Sequence, residues 1–581
     1  MKTIDLIAQI LRREGIAHLQ CFPTTPLIEA AAQAGITPII CRQERVGVGI
    51  ADGYSRVAWA TGTAGAATPG VFAMQFGPGA ENAYAGVATA FSDSSPVLLL
   101  PLGHPDDRQG VFPLFNGVRA FESVTKRVDR LTSPARTTDV LRRAFAALRM
   151  GRPGPVMVEV PADVATQEVP DGDTALAAYR PVPRIVSGPD PRDVHAAALS
   201  LCTAERPVLL AGQGTLYAGA TDELVELADL LGLPVATTLL GKSAFPESHP
   251  LSLGCAMHAM PLAAHRFVQR ADLFLAVGTS LTRHFTVMAL PPGRTLIHAT
   301  NDERDFYKDY LPDYPLLGDA KLTLRALIDA CRDILETPRA ETAGRASSTP
   351  GQYEPHAARA ERRRTVAVEI AALHEEWLTA WRPKLTSAQL PIDPYRVVWE
   401  LTQAFDPEDV IATHDSGNPR GQLVPFFRTA APRGFIGWGK SHGLGTGLGL
   451  AMGAKLARPE KVCVNFMGDA AFGMVGLDFE AAVRCRLPII TIVLNNSAMA
   501  SERRAMPQAE AAFHTSDLGG DYAAIGRALG GHAERIDDPA QVRDALLRAR
   551  RISEDEGRPV LLEFITARET ASSTPGRNCV P

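Results

Sequence analysis

Asp469 and Asn496 are the residues whose types and spacing point most directly to chemistry. Asp469 follows the apolar run 462–467 and Gly468; Asn496 follows the apolar run 489–494 and Asn495, 27 residues further on. A carboxylate and an amide oxygen are donors for a hard cation, which takes its remaining oxygen ligands readily from a diphosphate. Ala498, just beyond Asn496, offers a backbone carbonyl to the same ion. A helix opening at Asp469 leaves unpaired N–H groups aimed at phosphate oxygens. The chemistry implied is metal-assisted capture of a diphosphate.

Positioning these groups takes a strand, a helix and a parallel strand, which brings both polar ends to one edge of a sheet. Phe472, Leu477, Ala481 and Ala482 form the expected packed face of the connecting helix. Ligands of open α/β sheets bind at that carboxyl edge. A second candidate is Glu44, in the helical stretch RQERVGVGIADGY. It stands beside Val46, Val48 and Ile50, with Gly47 and Gly49 among them. A glycine inside a helix costs about 1 kcal/mol, so two of them imply that something packs closely there. A carboxyl group in apolar surroundings has a raised pKa and can share a proton near neutral pH.

The rest of the 581 residues is organised as three α/β segments. The first spans 1–180, with strands expected at 36–41, near Gly65, at 97–100 and at 155–160, after an amphipathic helix carrying Ile4, Ile7, Ile10 and Leu11. The second spans 190–335; its strand 208–210 leads into Gly212, Gly214 and Gly219, which lack the G-x-G-x-x-G spacing and read as a tight turn rather than a dinucleotide site. Residues 336–390 read as a linker, with the ERRR run 361–364 as a solvated face. The third segment spans 391–570, followed by a loose tail, 571–581.

The Gly-Asp and Asn-Asn pair resembles the diphosphate-binding motif of thiamine diphosphate (ThDP) enzymes, with Ala470 where the family usually has Gly. That alanine is tolerated where φ stays negative. The stretches ADGYSR, FGPGAEN, SDSSPVLLL, 150–164 and 237–254 extend the resemblance over nearly the whole chain, most closely to acetohydroxyacid (acetolactate) synthase and its relatives. The resemblance implies three doubly wound parallel-sheet domains: pyrimidine-binding, central and diphosphate-binding.

It also implies roles. Glu44 activates the cofactor at its pyrimidine, although Gln43 stands where His is usual. Pro23 and Asn82 lie beside the pyrimidine. Gly417 and Asn418 touch the diphosphate, with Pro419 where a His often follows. The His442 carbonyl holds the 4′-amino group, and Leu444 is the wedge that keeps the cofactor bent. Gly468, Ala470, Ala471 and Met499 are further cofactor neighbours, and Asp469, Asn496 and the Ala498 carbonyl hold Mg²⁺. His104 would relay protons near the reacting carbon. Lys126 matches a basic residue that approaches the substrate region. Thr24-Thr25 replaces Gly-Gly, Ala505 replaces the aromatic residue that selects the acceptor, and SLTRHF (280–285) replaces the flavin signature, which argues against FAD.

The function implied is carbon–carbon bond formation from a 2-oxo acid, by decarboxylation and carbonyl trapping of the resulting enamine. A lyase or hydrolase of acyloins or 1,2-diones, and a simple 2-oxo acid decarboxylase, are the alternatives; a ThDP-binding protein without catalysis is a third. A homodimer or homotetramer with sites between subunits follows from the same resemblance. A net charge of −5 gives no footprint for nucleic acid, and no apolar run reaches the roughly 18 residues a membrane span needs. Eight scattered cysteines and the absence of a signal-like core suit a cytoplasmic enzyme.

Overall fold

The apolar runs become strands of three six-stranded parallel sheets in the computed structural model, which describes residues 1–59, 67–257, 259–284, 287–336 and 356–574. The first sheet holds β1 (His18–Cys21), β2 (Thr37–Ile40), β3 (Gly70–Met74), β4 (Val97–Gly103), β5 (Arg127–Arg130) and β6 (Val156–Pro161), in the order β2-β1-β3-β4-β6-β5. The second holds β7 (Pro207–Ala211), β8 (Val235–Thr237), β9 (Ser252–Cys255), β10 (Leu273–Val277), β11 (Thr295–Thr300) and β12 (Tyr314–Leu317), in the order β12-β11-β10-β7-β8-β9. The third holds β13 (Val410–His414), β14 (Phe435–Ile436), β15 (Val462–Gly468), β16 (Ile489–Asn495), β17 (His532–Ile536) and β18 (Val560–Ile565), in the order β14-β13-β15-β16-β18-β17. The doubly wound α/β class read from the sequence is the class the chain adopts.

The first and third sheets share one strand order, each counted from its own first strand. In both, the order reverses between the first and third strands, and such a reversal opens a crevice at the carboxyl ends. In the third sheet that point lies between β13, which leads to Gly417 and Asn418, and β15, which leads to Asp469. In the first it lies between β1, which leads to Pro23, and β3, which leads toward Asn82.

Packing gathers residues 1–185, 387–420 and 436–569 into one unit around the first and third sheets, and residues 186–386, 421–435 and the chain end into a second. Successive strand residues face opposite sides. Val71 and Ala73 therefore join one core of the first sheet, and Phe72 and Met74 the other. The second sheet divides Leu209 from Val208 and Leu275 from Phe274 in the same way.

In the first unit the Glu44–Ala58 helix packs on the Thr446–Ala457 helix along glycines. A Cβ on Gly53 would lie 2.3 Å from the Leu450 carbonyl oxygen, and one on Gly453 2.1 Å from that of Ile50. A Cβ on Gly49 would lie 3.5 Å from the Gly449 backbone, and one on Gly47 2.3 Å from the Phe72 ring, so the close packing expected at these two glycines is present. The obstacles at Gly53 and Gly453 are backbone and cannot rotate away. Gly453→Ala is therefore expected to destabilise the protein by about 3 kcal/mol, the upper end for overpacking. Gly473→Ala, in a helix with nothing within 4 Å of its Cβ, is expected to be neutral or stabilising by up to ~1 kcal/mol. Thermal unfolding of the two variants side by side checks this.

Several expectations change. Leu477 is 61 % exposed while Phe472, Ala481 and Ala482 are buried. The 3₁₀ turn Gly476–Asp478 divides the helix into Asp469–Val475 and Phe479–Arg484 and shifts the phase of its faces. The strand expected near Gly65 falls outside the described residues, and the strand that follows is β3. Much of the expected linker is a thirty-residue helix, His356–Leu385, whose Trp377 and Trp381 pack on Phe426. The ERRR run is not simply solvated: Arg363 pairs with Asp229 at 2.6 Å and Arg362 donates to the carbonyl of Glu205 at 2.9 Å. The amphipathic first helix, Thr3–Arg13, buries Ile4, Ile7, Ile10 and Leu11 as expected.

Candidate active site

The turn after β15 places Asp469 as the first residue of its helix, 3 % exposed. Its Oδ1 accepts the Ala470 N–H at 2.8 Å, and the backbone amides of Asn496, Ser497 and Ala498 face the same carboxylate. Burial raises its pKa, and these amides pull it back. Its Oδ2 is buried without a hydrogen-bond partner. Asn496 Oδ1 accepts the Ala498 N–H at 3.0 Å, which folds the turn so that Ser497 takes φ +53°. Asn495 fixes that turn from below, its Nδ2 donating to Glu563 at 2.7 Å and its Oδ1 accepting the Ser497 N–H at 3.0 Å. Met499 is tied down by its N–H to the Ser516 carbonyl at 2.7 Å.

Ala470 sits inside the helix, where φ is negative, so the methyl group in place of the usual glycine is accommodated. Ala471 is buried beneath it, and Gly468 caps the helix. One orphaned carboxylate oxygen, an amide oxygen and a nearby backbone carbonyl fit a hard cation that takes its other ligands from a diphosphate. Among the described residues no group of three His, Cys, Asp or Glu forms an alternative metal site. Asp469, Asn496 and Ala498 would hold Mg²⁺, and the helix N-terminus would face the phosphates.

Gly417 takes φ +87°, which glycine alone adopts without strain. The side chain of Asn418 is engaged at both ends, accepting from Ser501 Oγ at 2.8 Å and donating to the Glu569 carbonyl at 3.3 Å. Asn418 therefore braces the loop through its side chain.

The loop carrying His442 and Leu444 is held from two sides. Asp415, fully buried, accepts the N–H groups of Gly445 and Gly447 at 2.9 and 2.8 Å. Asp93, near the end of the Pro78–Ser92 helix, accepts those of Gly439 and Lys440 at 2.9 and 3.1 Å. Arg56 pairs with Asp52 at 2.7 Å and Asp93 at 3.1 Å and donates to the Gly437 carbonyl at 2.6 Å. His442 takes φ +43° with its ring edge-on to Trp438, and the Leu444 carbonyl accepts from the Arg45 guanidinium. Sequence spacing gave no sign of Asp93, Arg56, Asp415 or Arg45, because each acts on residues far away along the chain.

Glu44 opens its helix and is 4 % exposed. Its carboxylate accepts from Asn82 Nδ2 at 3.3 Å and lies against Gly79. Burial raises its pKa above the ordinary glutamate value, with hydrogen bonds to its own backbone and to Asn82 opposing. Pro23 follows β1 on the same edge. His104 follows β4, its ring 4.6 Å from that of Phe76 and its Nε2 buried without a partner. Lys126 precedes β5 at the opposite, amino end of the sheet, where its Nζ donates to the Met150 carbonyl. Within one chain, then, the edge of the first sheet gathers Pro23, Glu44, Asn82 and His104, while Lys126 lies elsewhere.

In the second unit, Gly212 and Gly214 close on Gly278, the Gly214 N–H donating to the Gly278 carbonyl at 2.8 Å. These glycines make a tight junction between the ends of β7 and β10. Thr282, Arg283 and His284 line a cavity of about 290 Å³ with Met257 and Tyr310.

Three family models match the chain in sequence order. The N-terminal TPP binding domain, the central domain and the C-terminal TPP binding domain of the thiamine pyrophosphate enzymes match residues 1–128, 194–327 and 415–564. A probable acetolactate synthase large subunit of Methanocaldococcus jannaschii is 29% identical, covering 97% of this chain and 92% of that protein. A sulfoacetaldehyde acetyltransferase of Castellaniella defragrans is 28% identical, with 93% and 88% covered. A glyoxylate carboligase of Escherichia coli O157:H7 is 26% identical, with 98% and 94% covered.

Proposed function

Because this chain belongs to the thiamine pyrophosphate enzyme family, we propose that it is a ThDP- and Mg²⁺-dependent enzyme that joins carbon to carbon, using a 2-oxo acid as donor. Bound ThDP supplies the nucleophilic carbon and the electron sink that let a 2-oxo acid lose CO₂. The observation that carries the reading is the buried carboxyl of Glu44, kept within reach of its proton by burial. It would hold that proton at the pyrimidine nitrogen, while the His442 carbonyl and Leu444 orient the ring. Asp469, Asn496 and the Ala498 carbonyl would hold the metal. His104 would give or take a proton at the reacting carbonyl.

A second copy of the chain would complete the site, as homodimer or homotetramer. Phe112, 94 % exposed in the segment after His104, is apolar surface such a copy would cover. The cytoplasm is the compartment that suits it; among the described residues no helix is long and apolar enough to cross a membrane. FAD has no part in this reading, since SLTRHF stands where flavin contacts are usual.

Ala505, exposed in the turn Glu502–Ala505, favours a second reading. Without an aromatic side chain to choose an acceptor, a proton can end the reaction, which makes the enzyme a 2-oxo acid decarboxylase. Cleavage of an acyloin or 1,2-dione is the reverse use of the same groups. Incubation of protein, ThDP and Mg²⁺ with pyruvate, glyoxylate, acetoin and diacetyl, followed by mass spectrometry, separates these. The expected result is CO₂ release with a coupled C–C product. Release of the aldehyde alone supports the decarboxylase, consumption of acetoin or diacetyl alone supports the lyase, and no turnover supports a binding protein.

A further inference from the structure

We propose that Asp478 is a positioning residue for Glu44, fixing from the third sheet's side the backbone turn that launches the Glu44 helix. That helix has Gln43 at its cap position, and the Gln43 side chain makes no capping bond. The two amides just ahead of the first helical turn, those of Arg42 and Gln43, are held from outside. Asp478 Oδ1 accepts the Arg42 N–H at 2.7 Å, and its carboxylate also takes the backbone N–H of Gln43.

Two further contacts come from the same short segment. Arg484 donates to the Ile40 carbonyl at 2.9 Å, and Glu480 pairs with the Arg42 guanidinium at 3.3 Å. Residues 478–484 thus grip the chain from the end of β2 to the threshold of Glu44. Asp478 is 2 % exposed, and burial pushes its pKa up to about 6 against the two amides. Above that pH it is an anion, and its bonds to the amides are of the stronger, charge-assisted kind.

The segment is continuous with the metal-side turn. Asp469 opens the helix Asp469–Val475, and Asp478 closes the 3₁₀ turn that follows it. One carboxylate faces the phosphate side and the other holds the turn that carries the acid for the pyrimidine. A group that must share a proton with a ring nitrogen works only within a few tenths of an ångström of the right place. Asp478 touches no reacting atom, so its effect passes through Glu44.

The inference rests on the role given to Glu44 above, and the test separates the two. Full-length protein loaded with ThDP and Mg²⁺ is assayed for hydrogen–deuterium exchange at the thiazolium C2, read by NMR after acid quench. Amide exchange of the peptide covering Arg42 and Gln43 is measured by mass spectrometry on the cofactor-free protein. In Asp478→Ala, C2 exchange is expected to slow by about tenfold or more, with ThDP affinity within about threefold of wild type and the two amides losing protection. Asp478→Asn, which keeps an acceptor oxygen, is expected to stay within about threefold on C2 exchange. Wild-type C2 exchange and wild-type amide protection in Asp478→Ala overturn the proposal. If Asp478→Ala does not fold, Asp478→Glu, with its acceptor displaced by one methylene, carries the test: slowed C2 exchange supports the proposal and wild-type exchange overturns it. Glu44→Gln is run alongside. Unchanged C2 exchange there defeats the role of Glu44 itself; a slow Glu44→Gln beside an unaffected Asp478→Ala defeats this inference alone.

Discussion

Glu44→Gln is expected to lower turnover by about 100-fold or more, the range seen when a general acid or base is lost, while ThDP and Mg²⁺ still bind. The amide is nearly the same size as the carboxyl group and keeps an oxygen for Asn82, which donates to Glu44 at 3.3 Å. What it cannot do is hold and share a proton. The fold should therefore survive, and thermal unfolding of the variant should match wild type within a few degrees. The pH profile supplies a second readout. Burial raises the Glu44 pKa, so in the free enzyme its proton persists to higher pH than on an exposed glutamate. The limb of kcat/KM that belongs to Glu44 lies correspondingly high and should vanish in the glutamine variant. Wild-type turnover in Glu44→Gln removes the central support of the proposed function.

Asp469→Asn is expected to weaken Mg²⁺-dependent ThDP binding by about 100- to 1000-fold, the cost of removing one partner from a buried ionic pair. Asp469 is the carboxylate of the proposed metal site, whose other members are an amide oxygen and a backbone carbonyl. The same substitution should raise the melting temperature of the cofactor-free protein, because Oδ2 is buried there without a hydrogen-bond partner. Loss of binding with gain of stability marks a group kept for function rather than for folding. Isothermal titration with ThDP and Mg²⁺, together with melting of the cofactor-free protein, reads both arms. Binding that survives EDTA, or an asparagine variant that binds as wild type does, would exclude a metal at this turn.

The strands were legible in the sequence because each is a short apolar run ending in polar or glycine residues. Runs 462–467 and 489–494 became β15 and β16 with only their last residues extended. That Asp469 and Asn496 stand directly after these two strands was legible for the same local reason. The phase of the connecting helix was not, because nothing local to Leu477 announces that Gly476–Asp478 tightens to a 3₁₀ turn. Least legible were the braces between the first and third sheets. Arg42 and Asp478 are 436 positions apart, and Asp93 and Gly439 are 346 apart. Periodicity sees a dozen residues at a time, so a carboxylate that holds a turn or loop hundreds of positions away looks like any polar residue. Gly47 and Gly49 were the partial exception. Their cost inside a helix foretold a close neighbour, and only the structure could say that one meets Phe72 and the other Gly449.

The crossing of the Glu44–Ala58 and Thr446–Ala457 helices has a mechanical reading. Where side chains mediate a contact, small shifts are absorbed by rotamer changes. At Gly53 against Leu450 and Gly453 against Ile50, main chain meets main chain, and that slack is missing. A nudge delivered to one rod arrives at the other undamped, so the acid at the head of the first and the loop at the head of the second travel together like parts of one lever.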